Sequence, residues 1–271
     1  MRLPLPARSR VAERGWPGRT GGTCLDQWGG PRYSVAVLER SVSAVSFDAG
    51  NTLLYVHPSP PEIYAAALSR HGRTVRPDDV GPAFAHAWAE MQRRTPPGQD
   101  RYSSLPGGER EWWGSLLREV LDRLEHDAPW QHLLDDLLAA FAHADVWRVF
   151  PEVWETLDTM RGRGLRLAVV SNWDRRLPEV LAQLDLSRFF EVITVSAQEG
   201  TEKPSPEIFE RTLRRLGVPA REALHVGDSP REDYQGAEGA GLVAVLIDRE
   251  RLFVDQPYRR ITALDELLKL V

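Results

Sequence analysis

The sequence predicts an α/β fold: a parallel sheet with helices on both faces, and an all-helical segment inserted after the first strand. Three observations carry this. From Ala44 onward, short apolar runs of strand type alternate with amphipathic runs at helical spacing. The strand-like runs end in polar groups, where open α/β sheets place their ligands. Finally, 122 residues separate Asp48 from Ser171, at the ends of the first two such runs, far more than a single crossover needs.

Residues 1 to about 40 are rich in Arg, Gly and Pro without a consistent period, and their basic start lacks the apolar stretch of a secretory signal. They are expected to be a disordered tail or an extension from an upstream start codon. The first strand is Ala44–Phe47, small, β-branched and aromatic, broken by the turn-forming run Asp-Ala-Gly-Asn-Thr at 48–52. Four helices follow, at 61–72, 77–94, 108–126 and 129–144, separated by Pro-Pro-Gly and Leu-Pro-Gly-Gly breaks. Trp88, Trp112, Trp113 and Trp130 are expected to form the core of this insertion rather than to contact a substrate. The remaining strands are 165–172, 191–196, 223–229 and 242–248, with helices at 151–164, 176–186, 205–217 and 232–241 around them. Right-handed crossovers join such units into one parallel sheet. The architecture expected is a Rossmann-like three-layer α/β/α core of residues 41–59 and 147–271. Residues 60–146 form a helical cap over its strand ends.

At 271 residues the chain is long enough for a full core plus a smaller module. A net charge of −5 excludes the electrostatic footprint of a nucleic-acid binder. The lone Cys24 excludes an internal disulfide and fits a reducing, cytoplasmic setting. No apolar run approaches the roughly 18 residues that span a bilayer. The expected partner is therefore a small molecule, with the oligomeric state open between monomer and dimer. Lys203 and Lys269 are the only lysines in a chain whose other basic residues are arginine. Retaining a lysine at 203, before Pro204, points to a need for a compact point charge.

Four polar segments fall in order at strand ends or the helix starts after them: DAGNT at 48–52, SN at 171–172, EKPSPEIF at 202–209 and GDSPREDYQGA at 227–237. Parallel topology brings them into one crevice. Over about residues 42 to 250 this pattern resembles the haloacid dehalogenase superfamily, in particular phosphatase-like members with a helical cap after the first motif. The resemblance implies a Mg²⁺-dependent hydrolase of a small phosphorylated metabolite. Asp48 would be the nucleophile, since a carboxylate attacks phosphorus without first losing a proton. Ser171, Asn172 and Thr52 would bind phosphoryl oxygens, helped by N–H donors at a helix start. Lys203 would offset charge on Asp48 and on the transferring group. Asp48, the Gly50 backbone carbonyl and Asp228 would hold Mg²⁺, which takes oxygen ligands, with Asp233 in support.

One position departs from the family pattern. Phosphatases of the superfamily usually carry Asp two residues after the nucleophile, as general acid and then base; here it is Gly50, followed by Asn51. Such catalysis is worth about 10²–10⁴-fold, so its loss would handicap poor leaving groups. His57 and Asp174 are candidate replacement proton carriers. The insertion has no lysine, which excludes the Schiff-base chemistry of phosphonatase-like members, and Gly227-Asp228 argues against a dehalogenase. The first motif Asp-x-Gly-x-Thr and the second, Ser-Asn-aromatic-Asp, are closest to a phosphatase-like group of generic hydrolases. The alternative function is an inert protein that binds phosphate and metal without turnover.

Overall fold

The computed structural model describes residues 41–96, 98–126 and 129–271; the expectation for residues 1–40 lies outside them. The chain enters through β1 (Ala44–Phe47) and turns into β2 (Leu54–Val56). It then builds four helices: α1 (Pro60–Arg70), α2 (Pro77–Arg94), α3 (Gly108–Arg123) and α4 (Trp130–Ala142). It returns through β3 (Trp147–Val149) to α5 (Val153–Gly162), β4 (Arg166–Ser171), α6 (Leu177–Gln183) and β5 (Val192–Val195). The short α7 (Ser196–Glu199), α8 (Pro206–Leu216), β6 (Ala223–Gly227), α9 (Gly236–Gly239), β7 (Val243–Ile247) and β8 (Arg260–Ile261) complete it.

Six strands form one parallel sheet in the order β5-β4-β1-β6-β7-β8. Successive side chains of β1 face opposite ways, so the four-residue strand feeds both faces of the sheet. Val45 and Phe47 join the larger apolar cluster with Leu157 and Met160 of α5. Ala44 joins the smaller one with Ile208, Phe209, Leu213 and Leu216 of α8. Helices therefore cover both faces, as the alternation predicts. Ser46 shares the α8 face with Ala44 and is buried there among apolar neighbours. β1 lies between β4, reached through the insertion, and β6, reached two crossovers later. Its carboxyl end is the switch point of the sheet.

The predicted strands and the four insertion helices are present, with ends shifted by a few residues. Among the features not anticipated, β8 adds a sixth strand at the sheet edge. β2 and β3 pair antiparallel, Leu54 opposite Val149 and Val56 opposite Trp147, and clamp together the two ends of the helical insertion. Three residues per strand are too few for a period of two to register. The stretch expected as a helix at 232–241 is a π-helical turn, Pro230–Gln235, running into α9. Of the four tryptophans expected in the insertion core, Trp112 is fully buried, while Trp88, Trp113 and Trp130 pack against that core half-buried. Trp88 and Tyr102 meet the Trp112 ring edge-on at 5.5 and 5.1 Å. Truncating such a ring costs about 3–5 kcal/mol. No helix among the described residues is long and apolar enough to cross a membrane.

Candidate active site

Asp48 follows the last residue of β1, and its backbone N–H donates to Val226 of β6. Its side chain therefore stands at the sheet's switch point. Ser171, the last residue of β4, donates from Oγ to Asp48 Oδ1 at 2.9 Å. Lys203 Nζ donates to the same oxygen at 2.7 Å and to Asp233 Oδ1 at 2.5 Å. Both side-chain bonds to Asp48 fall on Oδ1; Oδ2 accepts none among the described residues. The Lys203 loop is held by Asn172, whose Oδ1 accepts from the Lys203 N–H at 2.7 Å and whose Nδ2 donates to the Lys203 carbonyl at 2.8 Å. Asn172 Nδ2 also donates to Glu232 Oε2 at 3.0 Å, so its side-chain amide is committed to the loop.

Asp233 is placed by the π-helical turn. Ser229 N–H donates to its Oδ2 at 2.9 Å, and the turn brings the carboxylate against Gly227. A Cβ at residue 227 would lie 2.1 Å from the carboxyl carbon, so glycine at 227 is a packing requirement. His225 of β6 donates from Nε2 to Asp233 Oδ1 at 3.1 Å, and Ser46 of β1 meets His225 Nδ1 at 2.9 Å. An ionised carboxylate only accepts, which assigns the proton to Nε2 and leaves Nδ1 as acceptor for the Ser46 hydroxyl. Ser46 and His225 are partners across β1 and β6, so the sheet register itself brings them together.

Electrostatics follow from burial. Burial pushes the Asp48 carboxyl above its ordinary value despite Lys203, and the nearby Asp233 adds to the rise. Burial alone would lower Lys203, but Asp233 and Asp48 more than reverse it and hold the ammonium charged. Burial lowers His225, which is therefore neutral. Asp228 is pushed up to about 8 by burial and by the charges of Asp48 and Asp233. Its side chain accepts from Asn51 Nδ2 at 3.1 Å, with no cationic partner among the described residues. Asn51 itself adopts the left-handed conformation, φ 53°, which asparagine tolerates. Oxygens of Asp48, Asp228 and Asp233 lie within 4.8 Å of one another. Three carboxylates with a single ammonium beside two of them make a hard, electron-rich donor set that fits Mg²⁺.

Other expected residues sit differently. Gly50 leaves an open face: a Cβ there would touch only the Trp173 ring, at 3.7 Å. His57 is exposed beyond β2, its N–H bonded to the Val146 carbonyl, and shares no hydrogen bond with the Asp48 cluster. Asp174 is fully buried and both its oxygens are engaged, Oδ1 by the N–H and Nε of Arg176 and Oδ2 by Trp113 Nε1 at 2.8 Å. Neither arrangement resembles a poised proton carrier. Thr52 Oγ1 is buried without a partner among the described residues.

The residues not foreseen lie mainly between the helical insertion and the core. Arg101, in the segment between α2 and α3, donates to Glu202 from Nε at 2.7 Å and to Glu232 from Nη2 at 3.2 Å. Each glutamate immediately precedes a site residue, Lys203 or Asp233. Arg175 meets Glu109 of α3 in the same way at 3.1 Å. These contacts set the insertion against the loops at the carboxyl ends of β4, β5 and β6. For Ser46 and His225 a signal was available: polar residues inside otherwise apolar strands beside two of the motifs.

Comparison with known proteins follows the same lines. The chain is 32% identical over 210 residues to haloacid dehalogenase-like hydrolase domain-containing protein 3 of Xenopus laevis, covering 76% of this chain and 84% of that protein. It is 42% identical over 101 residues to glyceraldehyde 3-phosphate phosphatase of Methanopyrus kandleri, covering 37% of this chain and 43% of that protein. Among solved structures, a HAD phosphatase from Thermococcus onnurineus is 26% identical with a TM-score of 0.57, covering 84% of this chain and 97% of that one. The sequence model of one family matches residues 42–241, a span that includes all four polar segments and the insertion between the first two. The chain belongs to the haloacid dehalogenase-like hydrolases.

Proposed function

We propose that this hydrolase is a Mg²⁺-dependent phosphatase of a small phosphorylated metabolite, acting through a phospho-Asp48 intermediate. The observation that carries the reading is the buried Lys203 ammonium, shared between Asp48 at 2.7 Å and Asp233 at 2.5 Å. An Asp48 oxygen forms the new bond to phosphorus as the bond to the leaving oxygen breaks. Water then attacks phosphorus, releases phosphate and regenerates the carboxylate. Lys203 and the Ser171 hydroxyl hold Asp48 in line and offset charge. Asp48, Asp228 and the Gly50 carbonyl would hold Mg²⁺, with Asp233 in support, and the ion would supply positive charge against the phosphoryl oxygens. The unpartnered Thr52 hydroxyl supports its place among the phosphoryl-binding groups.

Residues 60–146 serve as the cap in this reading. The Trp113–Asp174 and Arg101–Glu202 contacts, at the strand ends that carry the motifs, support that division of the chain. Substrate choice then rests with the insertion, and the core supplies the chemistry.

Asp48→Asn should lower turnover of p-nitrophenyl phosphate with Mg²⁺ at least about 10³-fold, with the thermal unfolding transition retained. Activity above a few per cent of wild type would sink the covalent mechanism. Gly50 favours a second reading, a protein that binds phosphate and metal without turnover. Thermal stabilisation by Mg²⁺ and phosphate, with no hydrolysis of any aryl, alkyl or acyl phosphate in a panel, would select it.

A further inference from the structure

We infer that Ser46 and His225 are positioning residues of the phosphoryl-transfer site: a buried relay that fixes Asp233 and, through it, the Lys203 ammonium against Asp48. The inference rests on Asp48 and Lys203 being the reacting pair. It goes beyond that pair to two strand residues which never reach the crevice.

The relay is continuous. Ser46 Oγ meets His225 Nδ1 at 2.9 Å, His225 Nε2 meets Asp233 Oδ1 at 3.1 Å, Lys203 Nζ meets that oxygen at 2.5 Å and Asp48 Oδ1 at 2.7 Å. Ser46, His225, Asp233 and Lys203 are each 1–2% exposed, so water cannot stand in for a missing partner. A buried donor or acceptor without a partner carries a desolvation penalty. Besides the links of the relay, Ser46 Oγ has only a long contact to the Leu224 carbonyl, at 3.4 Å, and Asp233 only the Ser229 N–H.

What the relay decides is the direction of Lys203. Asp233 Oδ2 is fixed by the Ser229 N–H, and Oδ1 takes both the ammonium and the imidazole. Without the imidazole N–H, Oδ1 loses one of its two donors and can swing about the anchored Oδ2, carrying the ammonium away from Asp48. The Ser46 hydroxyl holds the imidazole in the tautomer that donates from Nε2. Phe209 closes the other side, its ring edge-on to His225 with centroids 5.0 Å apart, so the imidazole has one seat. Nothing in α/β packing requires a Ser–His pair between β1 and β6; their neighbours on that sheet face, Ala44 and Ala168, are apolar.

The test uses the full chain and two readouts. With only two lysines, ¹⁵N-lysine labelling reports Lys203 Nζ against a single exposed reference, Lys269. In wild type the Lys203 ammonium should give a distinct signal in slow exchange with water. In His225→Phe that signal should move and exchange faster, and kcat on p-nitrophenyl phosphate should fall about 10-fold or more with KM changed little. His225→Gln, whose amide can donate in place of Nε2–H, should restore most of both. Ser46→Ala should show the same changes in smaller measure. If a folded His225→Phe keeps wild-type kcat and lysine spectrum, or His225→Gln is as impaired as His225→Phe, the relay is overturned. Should His225→Phe not fold, an unchanged lysine spectrum in Ser46→Ala overturns it equally. If wild type hydrolyses no phosphate ester, the phosphatase reading fails, and the lysine spectra still decide the relay.

Discussion

Two buried polar clusters meet on the loop that carries Glu202 and Lys203, and their charges are balanced to different degrees. Between insertion and core, Glu202 and Glu232 share Arg101, and Asp174 has Arg176. At the ends of β1 and β6, Asp48 and Asp233 share one ammonium, and the third carboxylate, Asp228, receives only the amide of Asn51. Saturated pairs satisfy one another and hold a geometry. An unbalanced group of carboxylates in a partly buried crevice is costly unless it takes up a cation or a proton. The contrast separates a cluster of paired charges that fastens the insertion to the core from one that carries excess negative charge.

Breaking the saturated cluster should cause the largest loss of stability. Arg101→Ala leaves Glu202 and Glu232 without their cation, and severing a buried pair from one side costs about 3–5 kcal/mol. Urea unfolding would measure it. A change within 1 kcal/mol, about the worth of a surface pair, would mean that the interface opens freely to water and is no fastening.

Next in size is the proton that Gly50 cannot supply. Aryl and acyl phosphates should outpace alkyl phosphates by about 10²-fold or more, the usual worth of a general acid. Gly50→Asp should narrow the gap, because its Cβ meets only the Trp173 ring at van der Waals distance. The measurement is kcat/KM across a leaving-group series for both proteins. A flat series in wild type would show that another residue already donates the proton.

The unbalanced cluster gives the third prediction. An Asp228 carboxyl raised to about 8 in the metal-free fold favours the protonated form. The stability it contributes is present in full below the unfolded carboxyl value and is lost as pH rises through about 8. In EDTA, the wild type should therefore lose stability relative to Asp228→Asn between about pH 4 and 8. Mg²⁺ should reverse that loss in wild type, by about 2.7 kcal/mol at a hundredfold excess over Kd, and not in Asp228→Asn. A pH-independent difference, or equal Mg²⁺ stabilisation of both proteins, would place the cation elsewhere.

The parts of the site legible in the chain were those tied to local backbone. Asp48, Ser171 and Asp228 each close a buried strand or open the loop after one, so strand-end position located them before any contact was known, and Lys203 stood out as one of only two lysines. The roles of Asn172 and Asp174 were not legible, because their partners come from elsewhere: Lys203 and Glu232 for one, Trp113 for the other. The β2–β3 ribbon was missed for a related reason. Its six residues are held by pairing across the whole insertion and carry little pattern of their own.

Alternating periods of two and 3.6 determined the three-layer sheet, and one overlong connection determined where the helices enter, because both are local consequences of which residues shun water. The order of the four polar segments then determined that one crevice would collect them. Only the tertiary structure decided that Ser46 and His225 sit side by side, since that depends on β1 and β6 pairing across nearly 180 residues. It likewise decided that Arg101, 49 positions beyond Thr52 at the end of the first motif, closes on the loop of Lys203. Burial is written in each residue's own chemistry; partnership is written only in the fold.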